Sequence, residues 1–201
     1  MISDFGGVLT TPLERSFRFF ADRSGIPLER LGEAMSALQD RLGQHPLFEL
    51  EIGAMTEARF YELLGEELGV EITGFAEEYF SHLGVEEEMI AAIARWRDAG
   101  LRMAMCTNNV REWEPRWRAM LPVDELFEIV VDSAFVGVRK PDVRIYEIVL
   151  ERLGDVGAEE CVFVDDREDN CAAARDLGMW AVHFRDAGQA IAEVEELRLI
   201  R

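Results

Sequence analysis

Cysteine and positive charge are both scarce in this chain of 201 residues. Cys106, Cys161 and Cys171 form an odd set of three, with no CxxC among them. Such a set argues against a disulfide framework and a structural zinc site, and points to a reducing cytoplasm. Cys106 and Cys161 fall in or beside apolar runs, so they read as buried structural thiols. Lys and Arg number 21 against 40 Asp and Glu, for a net charge of -19. A field of that sign repels nucleic acid and anionic membranes. No apolar stretch approaches the roughly 18 residues of a membrane span, and Asp4 interrupts the opening, so neither a signal peptide nor a transmembrane helix is expected. A phosphate can bind here only where a metal and a cation invert the local sign.

The length suits one medium core, or one core with a small accessory domain. Residues 1–12 read as a strand and its following loop. Only three residues precede Asp4, where about 5–6 is usual for a strand. Either the strand is short or the native start lies upstream. Residues 13–84 contain no convincing strand. Leu28, Leu31, Met35, Leu38 and Leu42 recur at helical spacing, as do Phe60, Leu63, Leu64 and Leu68. Thr56 is placed to cap the second helix and Gly69 to stop it. Further helices are expected at 13–24 and 73–83, which makes the block a small helical bundle.

From residue 85 the pattern alternates. A helix at 86–98 ends at Gly100, and the apolar runs Leu101–Cys106 and Leu126–Val131 follow as strands. A helix at 142–153 stops at Gly154. The strand Cys161–Val164, a helix at 168–177 stopped by Gly178, the strand Trp180–Phe184 and an amphipathic helix at 191–201 complete the chain. Apolar runs alternating with helices imply an α/β fold, a doubly wound parallel sheet covered on both faces. Residues 1–12 and 85–201 form its core and 13–84 an inserted helical cap. Sites in such sheets form at the carboxyl ends of the strands.

Three chemical signals, Asp4, Thr107 and Asp165-Asp166, fall at such points, and a fourth, Lys140, falls in the loop before a helix. Asp4 opens Asp4-Phe5-Gly6-Gly7-Val8-Leu9. It makes either a turn with its glycines or a nucleophile that substrate can approach closely. Thr107-Asn108 follows a buried run and either caps a helix or binds phosphate oxygens; the two geometries are compatible. Lys140, in Gly137-Val138-Arg139-Lys140-Pro141-Asp142, can neutralise a nucleophile and a transferring phosphoryl group. Asp165-Asp166 ends a buried run. Adjacent carboxylates there repel, and a divalent cation, Mg²⁺ by its taste for oxygen ligands, would relieve the repulsion. Arg111, with the tryptophans of Trp113-Glu114-Pro115-Arg116-Trp117, either lines a substrate pocket or lies on a surface helix anchored by its rings. Leu50-Glu51-Ile52-Gly53 reads as a helix–helix connection able to face the site. His45 and His82 read as solvated.

In this order the motifs resemble the haloacid dehalogenase-like superfamily. The run Val162 to Gly178 is similar to its branch containing the amino-terminal phosphatase domain of soluble epoxide hydrolases. The opening resembles a bacterial branch that includes a sugar-1-phosphate phosphatase. The resemblance implies a hydrolase, a Mg²⁺-dependent phosphatase of a small phosphorylated metabolite such as a sugar phosphate, working through an aspartyl phosphate. In it Asp4 is nucleophile and metal ligand, and Gly6 offers its carbonyl to the metal. Thr107 holds phosphate, Lys140 bridges Asp4 and phosphate, and Asp166 binds Mg²⁺ with Asp165 behind it. The family's usual second Asp, its proton donor, is replaced by Gly6. Two other readings stay open: a 2-haloacid dehalogenase, and a HAD-fold binding protein or weak pseudoenzyme. A monomer or homodimer is expected.

Overall fold

The structure, a computed structural model, describes residues 1–11, 18 and 21–197. The sheet has five strands: β1 (Ile2–Ser3), β2 (Ala104–Thr107), β3 (Ile129–Asp132), β4 (Val162–Asp165) and β5 (Trp180–His183). They lie in the order β3-β2-β1-β4-β5, and every neighbouring pair is parallel. β1 is only two residues long, yet it stands at the centre. The Asp4 amide extends its pairing by donating to the Val164 carbonyl at 2.9 Å.

Side-chain alternation divides the sheet into two faces. Met105, Val162, Val164 and Val182 point into one buried cluster, with Met89, Ile93 and Trp96 of a helix at Glu87–Asp98 and Ala190 and Val194 of a helix at Ala187–Glu196. Ile2, Ala104, Cys106 and Phe163 point the other way. They meet Ile145, Tyr146 and Val149 of a helix at Val143–Leu153 and Ala174 of a helix at Glu168–Asp176. Both faces are therefore dry, which suits a parallel sheet. The chain turns from one side of β1 to the other between β3 and β4, so the crevice beyond β1 and β4 is where such a sheet binds ligands.

Between residues 28 and 81 the chain is helical: Leu28–Leu42, Pro46–Glu51, Glu57–Leu68 and Phe75–Ser81. Leu31, Ala34 and Leu38 are the buried stripe of the first. The Thr56 side chain accepts the Arg59 amide, and Gly69 closes the third helix in left-handed geometry, as the caps predict. Leu38, Phe60 and Leu64 belong to the same buried cluster as Trp96 and Met105, so this block and one face of the sheet share a continuous apolar interior.

Several boundaries move. β2 starts at Ala104 rather than Leu101, and β3 at Ile129, because Val123–Leu126 is a turn of helix. Leu50 and Glu51 close a short helix instead of forming a connection. The last helix runs Ala187–Glu196, and the expected residues 198–201 lie outside the described ones. So does most of the helix expected at 13–24, of which 18 and 21–24 are helical. All three thiols are free and buried.

Candidate active site

The site begins where β1 ends. Asp4 is 7% exposed, and its Oδ1 accepts from the Phe5 amide at 2.7 Å. The same oxygen lies 2.7 Å from the Lys140 Nζ, which also reaches Asp165 Oδ2 at 2.6 Å. Lys140, at 1% exposed, is thus a buried cation shared by the ends of β1 and β4. Burial opposes its charge, but Asp165 and Asp4 outweigh burial and hold it well above the usual lysine range. Asn108 fixes the lysine's backbone from both sides. Its Oδ1 accepts the Lys140 amide at 2.8 Å and its Nδ2 donates to the Lys140 carbonyl at 3.0 Å.

Asp165 is fully buried and fully engaged. Its Oδ1 accepts from the Arg167 amide and from Asn170 Nδ2, both at 2.9 Å, while Oδ2 faces Lys140. Asp166 is more open. A Cβ built on Gly7 would come within 2.3 Å of Asp166 Oδ2, and Gly7 has φ +79°. Glycine is needed there for both reasons. Carboxylate oxygens of Asp4, Asp165 and Asp166 lie within 4.8 Å of one another. Burial, opposed by Lys140 and reinforced by Asp165 and Asp166, pushes the Asp4 carboxyl up to about 7. Asp166 is also raised, by burial first and by Asp165 next. Clustered hard oxygens that resist ionisation together fit Mg²⁺.

Thr107, 1% exposed at the end of β2, and Asn108 open onto a cavity of about 130 Å³ that also touches Gly6. Its far walls come from the helical block, including Leu47, Leu50, Phe60, Phe75 and Tyr79. Glu51 lies in the wall and pairs with Arg139 Nε at 2.6 Å; Arg139 also sits over the Phe48 ring. Burial raises the Glu51 carboxyl, against the pull of Arg139.

The expected residues thus divide. Asp4, Lys140, Asp165 and Asp166 converge; Thr107, Asn108 and Gly6 border the same cavity. Arg111 does not line it, for its guanidinium donates to the Ala134 carbonyl and lies over Phe135. Trp113 does line it, whereas Trp117 packs on Phe5. His45 accepts the Leu47 amide, and His82 faces Glu78. The Glu51–Arg139 pairing and the Phe60, Phe75, Tyr79 and Phe80 part of the wall leave no mark in the sequence, because charged and apolar residues on an amphipathic helix look the same whether they line a cavity or pack.

The haloacid dehalogenase-like hydrolase family matches residues 1–178. A sesquiterpene phosphatase from Aspergillus oryzae is 29% identical over 159 residues, 74% of this chain and 77% of that protein. Bifunctional epoxide hydrolase 2 from Rattus norvegicus is 24% identical over 96% of this chain, which spans only 38% of that longer protein. A HAD family enzyme from Bacteroides thetaiotaomicron, solved with magnesium and inorganic phosphate, superposes with a TM-score of 0.69 at 21% identity, covering 92% of this chain and 93% of that one.

Proposed function

The chain belongs to the haloacid dehalogenase-like hydrolase family, and from that membership we propose that it is a Mg²⁺-dependent phosphatase of a small phosphorylated metabolite. The observation that carries the reading is the buried Lys140 bridging Asp4 and Asp165 beside the open carboxylate of Asp166. Asp4 attacks phosphorus through a carboxylate oxygen. The new Asp4–phosphorus bond forms as the bond from phosphorus to the leaving oxygen breaks. Water then attacks the aspartyl phosphate, releases inorganic phosphate, gives its proton to solvent and restores Asp4. Lys140 holds Asp4 in place and offsets the charge of the transferring group. Asn108 positions Lys140, and Thr107 faces the phosphate oxygens. Asp4, Asp166 and the Gly6 carbonyl would hold Mg²⁺, which when bound supplies charge neutralisation for phosphate. Asp165 is the positioning partner behind them. The helical block acts as a cap over this floor.

Gly6 brings no carboxyl to the leaving oxygen, so the reading favours leaving groups that need little protonation. General acid catalysis is worth about 10²–10⁴-fold where present. Hydrolysis of p-nitrophenyl phosphate is expected with Mg²⁺, to disappear in EDTA and to fall by about 10³-fold or more in Asp4→Asn. Full activity in EDTA or in that variant would sink the mechanism. Turnover of a 2-haloacid in EDTA would establish the dehalogenase instead.

A further inference from the structure

The cavity between the helical block and the strand ends has an unusual lining for a site that handles a dianion. Its walls are mostly apolar and aromatic. Trp113 is their centre: Tyr79 lies 4.8 Å from it, Phe80 5.5 Å and edge-on, and Phe75 6.2 Å and stacked. The cavity meets the phosphate-facing residues at Gly6 and Thr107, so whatever fills it is the part of the substrate beyond the phosphate.

Polar groups are few in the walls, and most of them are already engaged with the protein through at least one atom. Glu57 accepts from the Trp113 indole N–H at 2.5 Å and from the Tyr61 hydroxyl. Glu51 is held by Arg139, and Asn108 by both sides of the Lys140 peptide. Asn109 Oδ1 accepts the Val110 amide at 2.9 Å. A sugar placed here would bury its hydroxyls against rings and methyl groups, and each unpaired hydroxyl would lose its hydrogen bonds to water. A hydrocarbon meets no such penalty. Size narrows the choice, because an apolar cavity of about 150 Å³ holds one benzene ring, and this one is about 130 Å³.

We propose that the substrate is a phosphate ester or anhydride with a compact apolar body, about one ring or a chain of four to six carbons, lodged in this aromatic cavity. The proposal rests on the phosphatase reading and replaces the sugar body with a hydrocarbon one. Acyl phosphates test it cleanly, because the pKa of the leaving carboxylate hardly changes with chain length. From acetyl to hexanoyl phosphate, kcat/KM is expected to rise about fourfold per methylene, or about 250-fold over the four methylenes. Glucose 1-phosphate, a polar body on a good leaving group, is expected to do no better than acetyl phosphate. A flat or falling series, or a glucose 1-phosphate rate above that of hexanoyl phosphate, overturns the proposal.

Leu47→Trp, which fills the half-buried wall, is expected to cut the hexanoyl-to-acetyl ratio about tenfold, as expected for two or so displaced methylenes. An unchanged ratio counts against the cavity. Should no phosphate be cleaved with Mg²⁺, the phosphatase reading falls, and binding still decides the cavity. Hexylphosphonate must then perturb tryptophan fluorescence at lower concentration than ethylphosphonate; equal affinities overturn the proposal. That wild-type comparison also decides if Leu47→Trp does not fold.

Discussion

The floor and the roof of the cavity are built on opposite principles. The floor, at the ends of β1 and β4, buries Asp4 and Asp165 on one lysine through ion pairs of 2.7 and 2.6 Å, with the more open Asp166 beside them. The roof, from the helical block and Trp113, presents rings, two of which, Trp113 and Tyr61, donate to the Glu57 carboxylate. A floor of that kind can recognise only a compact, highly charged group. A roof of that kind discriminates by volume and hydrophobicity. On the proposed reading the floor carries the reaction and the roof the selection, and variants placed in each half probe the two tasks.

The largest expected effect breaks the floor. Lys140→Met leaves Asp4 and Asp165 buried without their shared cation. Removing one partner of a buried pair costs about 3–5 kcal/mol, to be read by denaturant unfolding alongside loss of activity. A loss no larger than that of a roof variant would erase the contrast.

Gly6→Asp sharpens the comparison by adding the missing acid at the border between the halves. Alkyl phosphates, whose leaving groups are poor, are expected to speed up by as much as about 10²-fold, and the dependence of rate on leaving-group pKa to flatten. Wild-type rates already insensitive to leaving-group pKa would mean that another residue donates the proton.

A third effect belongs to the floor's titration. With Asp4 held at about 7 in the folded protein against 3.8 as its ordinary value, the native state keeps a proton that the unfolded state has lost. Metal-free stability therefore falls as pH rises from about 4 to 7. Mg²⁺ competes with that proton, so its apparent affinity is expected to be about tenfold weaker at pH 6 than at pH 8. The Tm gain on adding Mg²⁺, measured at both values, checks this; a gain independent of pH would show that no proton on Asp4 competes with the metal.

The smallest effect lies in the roof. Trp113→Phe removes the indole donor to Glu57 but leaves the Tyr61 bond, and is expected to cost about 1 kcal/mol. Denaturant unfolding of this variant beside Lys140→Met sets the two halves on one scale.

The sequence revealed the floor far better than the roof, for a physical reason. Asp4, Thr107 and Asp165-Asp166 are polar residues at the ends of apolar runs, where a parallel sheet has one place to put them, and Lys140 stands in the loop just before a helix. Their convergence follows once the strands are ordered. The roof leaves no such mark. Phe60 and Leu64 repeat at helical spacing, and Phe60 borders the cavity while Leu64 packs in the core. Arg111 shows the converse, since a cation three residues past Asn108 has the chemistry for an anion but turns to the Ala134 carbonyl. Strand edges were misjudged where apolar residues do other work: Met103 packs in the core before the β2 ladder begins, and Leu126 ends a helical turn before β3.

Arg139 and Lys140 are consecutive residues with opposite allegiances. Arg139 grips Glu51 of the roof, and Lys140 grips Asp4 and Asp165 of the floor. One peptide unit therefore rivets two layers together. The helix carrying Glu51 cannot lift away from the strands without either snapping the Arg139 pair or pulling on the link that seats the lysine. Opening the chamber and slackening its charged base are in this sense one mechanical event, and a closed chamber is one whose base is held taut.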